Sequence, residues 1–248
     1  MYDDQIKAYY EHLILLSGRW VMIVSILTLI TGLFRWRKFN KALKIYWLFL
    51  LIALVAFALE PLFVWFLRRN KEFWVPILNA CNIATTNFLR YPFHLNNFVL
   101  LGWFLYLTLQ PRPVAVWIKR LSIALVIAVT INFFFIQGHD MAGGFNSTVS
   151  GLYCLILPLV SMWYLYNQDN KVPLSHNPYF WINLGLIVPN LLAIFPYLAG
   201  NDFFKEDFAL YAQLTMIKYG FEIIAQILTA VGFYYARNVK YLDSNQFK

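Results

Sequence analysis

The sequence predicts an all-α integral membrane protein, a bundle of seven transmembrane helices with its N-terminus outside and its C-terminus cytoplasmic. Three observations lead there. Of the 248 residues 60% are hydrophobic and only 13% are charged, and mean hydropathy is +0.57, well beyond ordinary soluble usage. Several apolar runs approach or exceed the ~20 residues that cross ~30 Å of hydrocarbon as a helix. The basic residues gather in alternate loops, as membrane topology requires.

The spans fall near residues 12–34, 45–67, 88–110, 121–137, 149–166, 179–200 and 208–236, within one domain covering 1–248. The first is preceded by Asp3, Asp4 and Glu11 rather than a basic region and is long, so it reads as a retained span, not a signal peptide. Arg35, Arg37, Lys38, Lys41 and Lys44 follow it, which places this end in the cytoplasm. The second carries Glu60 and Pro61, and Arg68, Arg69 and Lys71 after it run against the charge rule. The third carries Arg90, His94, Asn96 and Asn97 and ends before Arg112, Lys119 and Arg120. The fourth and fifth supply no motif; between them lie His139-Asp140 in a Gly-rich outer loop and the sequon Asn146-Ser147-Thr148. The sixth carries Pro189 and Asn190, and an acidic loop with Asp202, Glu206 and Asp207 follows. The seventh carries Lys218, Glu222 and Gln226 and ends before Arg237, Lys240 and Lys248.

Net charge is +8, but its loop distribution assigns it to topology, with the lipid bilayer as partner and no role for nucleic acid. Cys81 and Cys154 are read as packing residues. His12, His94, His139 and His176 are scattered and form no metal set. An enzyme is not expected, because no nucleophile, metal set or paired catalytic carboxylates stand at working spacing. A signal would leave through a membrane or cytoplasmic partner or through transported matter; a second copy of the chain, as a homo-oligomer, is a further candidate partner.

Lys218 lies ten residues into its span, about 15 Å at ~1.5 Å per residue. An ammonium at mid-membrane costs about 3 kcal/mol. Such an amine is paired, neutralised or converted to a Schiff base. Arg90 and His94, like Lys218 and Glu222, lie one turn apart on one face. A network of Glu60, Arg90, Lys218 and Glu222, extended by Asn97, would be formally neutral. Shifting the chain by 128 residues superposes Pro61 on Pro189, Ala84 on Ala212, Arg90-Tyr91 on Lys218-Tyr219, Phe93 on Phe221 and Tyr106 on Tyr234. That echo would align spans two and three with six and seven, with Arg90 and Lys218 at corresponding depths.

Arg90-Tyr91 in the third span, Pro189 in the sixth, and Lys218-x-Gly220-Phe221 in the seventh give the chain a resemblance to the microbial rhodopsins. In span two, Lys44-x-Tyr46 and Ala56-Phe57 are also similar. The resemblance implies retinal bound as a Schiff base on Lys218, with Pro189, His94, Phe98 and Leu214 beside the chromophore, and Arg90 gating the outer half. It also shows departures: Phe93 stands where the usual counter-ion is expected, His94 at the following tryptophan, Phe104 at the proton donor, Leu214 at an aspartate, and Gly185 and Val188 where aromatics are expected. What it implies is a cell-membrane photoreceptor or light-driven ion transporter without the usual pump carboxylates. Glu60 would replace the counter-ion, and Glu222 would accept or donate a proton. The alternative is a non-photoactive transporter or receptor binding a small polar or anionic solute at mid-membrane.

Overall fold

The computed structural model describes residues 2–80, 83, 86–136, 145–167, 172–191 and 207–243. Cys81, His139-Asp140, Asp202, Glu206, Lys248 and the last part of the 179–200 span lie outside the described residues.

Among the described residues the chain is helical without strands. α1 (Tyr2–Arg35) ends in a 3-10 turn, and α2 (Lys41–Arg69) begins at Asn40, whose side-chain oxygen accepts from Leu43 N at 3.1 Å. That cap satisfies one of the open N–H groups of the first turn. α3 (Lys71–Ala80) follows, a short helix with no buried residue where the sequence suggested only a loop. α6 (Pro113–Ile131) starts on a proline, whose missing N–H costs nothing at that position, and continues as a π turn, Asn132–Ile136. α7 (Phe145–Tyr166) is followed by α8, described over 178–191, and by α9 (Phe208–Tyr234). Asp207 caps α9, accepting from Leu210 N at 2.9 Å. A 3-10 turn and α10 (Val239–Asp243) complete the described chain.

Five segments are long and apolar enough to cross a membrane: Lys7–Lys38, Lys41–Arg69, Pro113–Ile136, Phe145–Tyr166 and Phe208–Asn238. They mark an all-α membrane protein. The expected third span, 88–110, is not one helix. It is a 3-10 turn Thr86–Arg90, α4 (Tyr91–Asn96), a π turn Asn97–Leu101 and α5 (Gly102–Leu109). Pro92 explains the break, because it stands in the first turn of α4 and cannot donate to a preceding turn. The 128-residue echo therefore aligns dissimilar local structures: Arg90 closes a 3-10 turn, whereas Lys218 is interior to a continuous α9.

The core sits toward the end that holds Arg35, Lys41, Arg112 and Arg237, here termed the basic end. Tyr46, Phe98, Phe104 and Phe233 are fully buried there. Tyr46 packs on Phe104 at 4.8 Å and on Phe233 at 6.1 Å, Phe104 packs on Tyr179, and Phe39 on Phe233 at 5.0 Å. These rings tie α2, α5, α8 and α9 together. Close helix approach is set by glycine. A Cβ at Gly185 of α8 would lie 2.8 Å from the Ala225 carbonyl oxygen of α9, and one at Gly232 would lie 2.9 Å from Ile182 Cγ1 and 3.0 Å from Pro178 O.

α7 is the hub of the polar packing. Asn146, Ser150, Tyr153 and Ser161 bond to Asn132 at 2.8 Å, Asn97 at 2.7 Å, Ser122 at 2.6 Å and Asn183 at 2.9 Å. Residues at these spacings fall on one face of a 3.6-residue helix. The sequon asparagine, Asn146, is thus half-buried in the first turn of α7 rather than in an outer loop.

Candidate functional site

α9 sorts its residues by helical period. Gln213, Ile217, Gly220, Ile224, Ile227 and Tyr234 are exposed along one stripe, and Ala225, Thr229, Gly232 and Ala236 are buried on the opposite side. Lys218 precedes Ala225 by seven residues and Thr229 by eleven, each close to a whole number of turns. The lysine therefore sits on the inward face of α9, not on the lipid stripe. Glu222, one turn on, receives its ammonium: Nζ and Oε1 are 3.5 Å apart, and the side chains are 24% and 26% exposed.

Those exposures show a change along the helix. The inward face of α9 is buried near Thr229 and Gly232 but only partly buried at Lys218 and Glu222. α2 behaves alike: its buried residues run from Ala42 to Ala56, and none follows. Glu60 lies in that looser half, half-buried, where it accepts a hydrogen bond from Thr86 Oγ1 at 2.6 Å. Between α2 and α9, the Tyr219 ring meets Phe57 edge-on at 6.3 Å. A Cβ on Gly18 of α1 would stand 3.6 Å from Phe57 Cζ and 3.7 Å from Tyr219 Cε2, so a larger residue would enter that ring contact. The Tyr219 phenol lies within electrostatic range of Lys218, Glu222, Tyr211 and Glu60.

Of the charge network expected from sequence, the structure pairs Lys218 with Glu222, while Glu60 accepts from Thr86 and lies in electrostatic range of Tyr219. Arg90 is exposed, closes the 3-10 turn that begins at Thr86 and lies in electrostatic range of His94. Thr86, Gly18 and Tyr211 belong to the site and were not singled out by sequence. Thr86 had a faint signal, a hydroxyl one turn before Arg90 and just ahead of the expected third span.

The residues expected to line a chromophore divide into two groups. Leu214 shares the inward face of α9 with Lys218, four residues before it, and is half-buried, as is Pro189 on α8. His94, Asn97 and Phe98 belong to the packed core between α2 and α7. Asn96 donates to Phe49 O at 3.0 Å, Asn97 donates to Ser150 Oγ, and Phe98 packs edge-on to Tyr153 at 5.1 Å. His94 Nδ1, Asn96 Oδ1 and Asn97 Oδ1 are buried without a hydrogen-bond partner, an unusual concentration of unmet polar groups beside a π turn.

These placements test the fit of retinal. The amine and a carboxylate 3.5 Å away supply the charge chemistry a protonated Schiff base needs. The aromatic enclosure does not fit: at Gly185 the α9 backbone is too near for any side chain, and Phe98 is committed to α7. No step through the chromophore is derived. No family model matches the chain, and neither curated proteins nor solved structures return a match.

Proposed function

We propose that the chain is a multi-pass cell-membrane receptor or carrier that binds a small polar or anionic solute at the Lys218–Glu222 pair. The reading takes the chain as seven membrane segments, with the broken 86–109 stretch and the helix beginning at residue 178 completing the five long ones. Its orientation follows the basic end, where Arg35, Lys41, Lys44, Arg112, Lys119 and Arg237 stand over the rings of Tyr234, Trp103, Trp36, Tyr164, Tyr106 and Tyr234 respectively. The excess of Lys and Arg at that end supports a cytoplasmic side there, and with it a reading in which the N-terminus is outside.

The observation that carries the function is an ion pair on the inward face of a membrane helix that is nevertheless a quarter exposed. An ionisable pair within a membrane span that faces the bundle interior is a functional-site candidate by default. A solute carboxylate exchanges for Glu222 at the ammonium, while Glu60 and the Tyr219 hydroxyl receive donors of the same solute. Scanning small carboxylic and amino acids by thermal shift on purified protein tests this. A stabilising solute whose effect vanishes in Lys218→Gln supports it, and no hit, or a hit indifferent to that change, overturns it.

The carboxylate already beside Lys218 favours a second reading, a retinal-binding photoreceptor or light-driven ion transporter with Glu222 as counter-ion. All-trans retinal added to the same protein would then give an absorption band that hydroxylamine removes and that is missing in Lys218→Gln. Without that band the second reading fails.

A further inference from the structure

At the basic end, a groove of about 660 Å³ opens between the start of α2, the end of α5 and the start of α6, lined by Asn40, Lys41, Tyr106, Gln110 and Arg112 among others. We propose that this groove is a binding site for the phosphate headgroup of an anionic phospholipid. Two cations, Lys41 and Arg112, line it, and a third, Lys119, stands over the ring of Tyr106 in its wall at 5.9 Å. Among the described residues no Asp or Glu lines it, so the described lining carries net positive charge.

The cations are held in place rather than splayed into solvent. Lys41 Nζ lies 5.6 Å over Trp103, and the Arg112 guanidinium lies 4.6 Å over Tyr164. Such stacking leaves the outer N–H donors of the guanidinium and ammonium free to meet phosphate oxygens. Gln110 is exposed and supplies a neutral donor at the rim. Asn40 gives the floor rigidity: its Nδ2 donates to Tyr179 OH at 2.8 Å while its Oδ1 caps α2.

A lipid, rather than a free anion, is favoured by what adjoins the groove. Val116 in its lining and Trp103 and Val99 along the neighbouring α5 and π turn are exposed apolar residues on spanning segments. They form a track on which acyl chains lie while the phosphate sits among the cations. Basic pockets between helices at the cytoplasmic interface bind anionic headgroups in this manner, at about 1 kcal/mol for each Lys or Arg. Removing both lining charges therefore weakens binding about 30-fold.

The test is native mass spectrometry of the full chain in detergent, titrated with phosphatidylglycerol or phosphatidylcholine. The wild type is expected to retain phosphatidylglycerol preferentially. Lys41→Gln/Arg112→Gln loses about 30-fold in affinity, whereas the charge-keeping Lys41→Arg/Arg112→Lys pair and the opposite-end Arg68→Gln/Arg69→Gln pair retain it. Equal retention by the Lys41→Gln/Arg112→Gln protein, equal binding of phosphatidylcholine, or equal loss in the Arg68→Gln/Arg69→Gln protein overturns the site. Displacement of the lipid by millimolar glycerol phosphate shows a free-anion site instead and overturns the lipid assignment.

Discussion

Alanine at Gly185 and alanine at Gly220 are the same chemical change inside two membrane helices, and the structure sets their outcomes apart. Each replaces glycine by a better helix former, worth about 1 kcal/mol. At Gly220, on the exposed stripe of α9, a Cβ meets nothing within 4 Å, so the gain stands alone. At Gly185 it lands 2.8 Å from the Ala225 carbonyl oxygen and 3.0 Å from Thr229 Oγ1. A carbonyl within a helix cannot swing aside as a side chain would, so α8 and α9 must separate along the contact that also holds Gly232 against Ile182. Overpacking of this kind costs about 2 kcal/mol, leaving Gly185→Ala about 1 kcal/mol less stable and Gly220→Ala about 1 kcal/mol more stable. SDS titration of bicelle-embedded protein, followed by far-ultraviolet circular dichroism, reads the difference of about 2 kcal/mol. Equal shifts for the two variants would refute the α8–α9 packing, and with it the objection to an aromatic at Gly185.

Gly102→Ala drives a methyl into Ser122 Oγ and to 2.5 Å from Tyr153 OH, so it should break their 2.6 Å bond and cost about 2 kcal/mol in the same titration. Ser161→Ala should cost about 1–3 kcal/mol by stranding the fully buried Asn183 amide, while Ser161→Ala/Asn183→Leu should recover most of that loss; a double-mutant cycle measures it. Lys218→Gln should change stability by less than about 1 kcal/mol, since its pair is partly solvated, yet abolish solute protection in the thermal-shift scan. Glu222→Gln should raise affinity for a carboxylate solute, because the ammonium loses its internal competitor; isothermal titration with the hit from that scan reads the change.

The α9 site was legible because helix spacing alone puts Lys218 and Glu222 together, and the structure keeps that relation at 3.5 Å. The spans of Lys41–Arg69, Pro113–Ile136 and Phe145–Tyr166 were legible for a related reason: long apolar runs leave the backbone no partner but itself. The local irregularity of the third span was not legible because hydropathy ignores backbone donors. Pro92 and the Asn96-Asn97 pair preserve an apolar average, while the segment runs as a 3-10 turn followed by helix from Tyr91 to Leu109 with a π turn at Asn97–Leu101. The polar face of α7 stayed hidden because its members are diluted among apolar residues and one, Tyr153, counts as an aromatic. Spacing by 4, 3 and 8 from Asn146 would have exposed it. The echo pairs Arg90, at the close of a 3-10 turn, with Lys218, interior to an α-helix, although the residues after both are helical.

The two halves of the bundle do different work, and their difference bears on receptor against carrier. At the basic end the rings of Tyr46, Phe104, Phe233 and Tyr179 pack the interior, with the Tyr46 hydroxyl facing Thr229 Oγ1 at 3.4 Å and the Tyr179 hydroxyl bonded to Asn40 at 2.8 Å. At the other end Glu60, Lys218 and Glu222 are only partly buried. Packing around the pair is thus looser than at the aromatic end. A receptor needs no more than this, since binding has only to alter how α8 and α9 meet. A carrier needs a second arrangement in which the aromatic plug parts, and the glycine contacts at Gly185 and Gly232 are where α8 and α9 would have to slide. Both roles place the mechanical consequence of binding at the same seam, because Lys218 and Ala225 share one face of a continuous helix two turns apart.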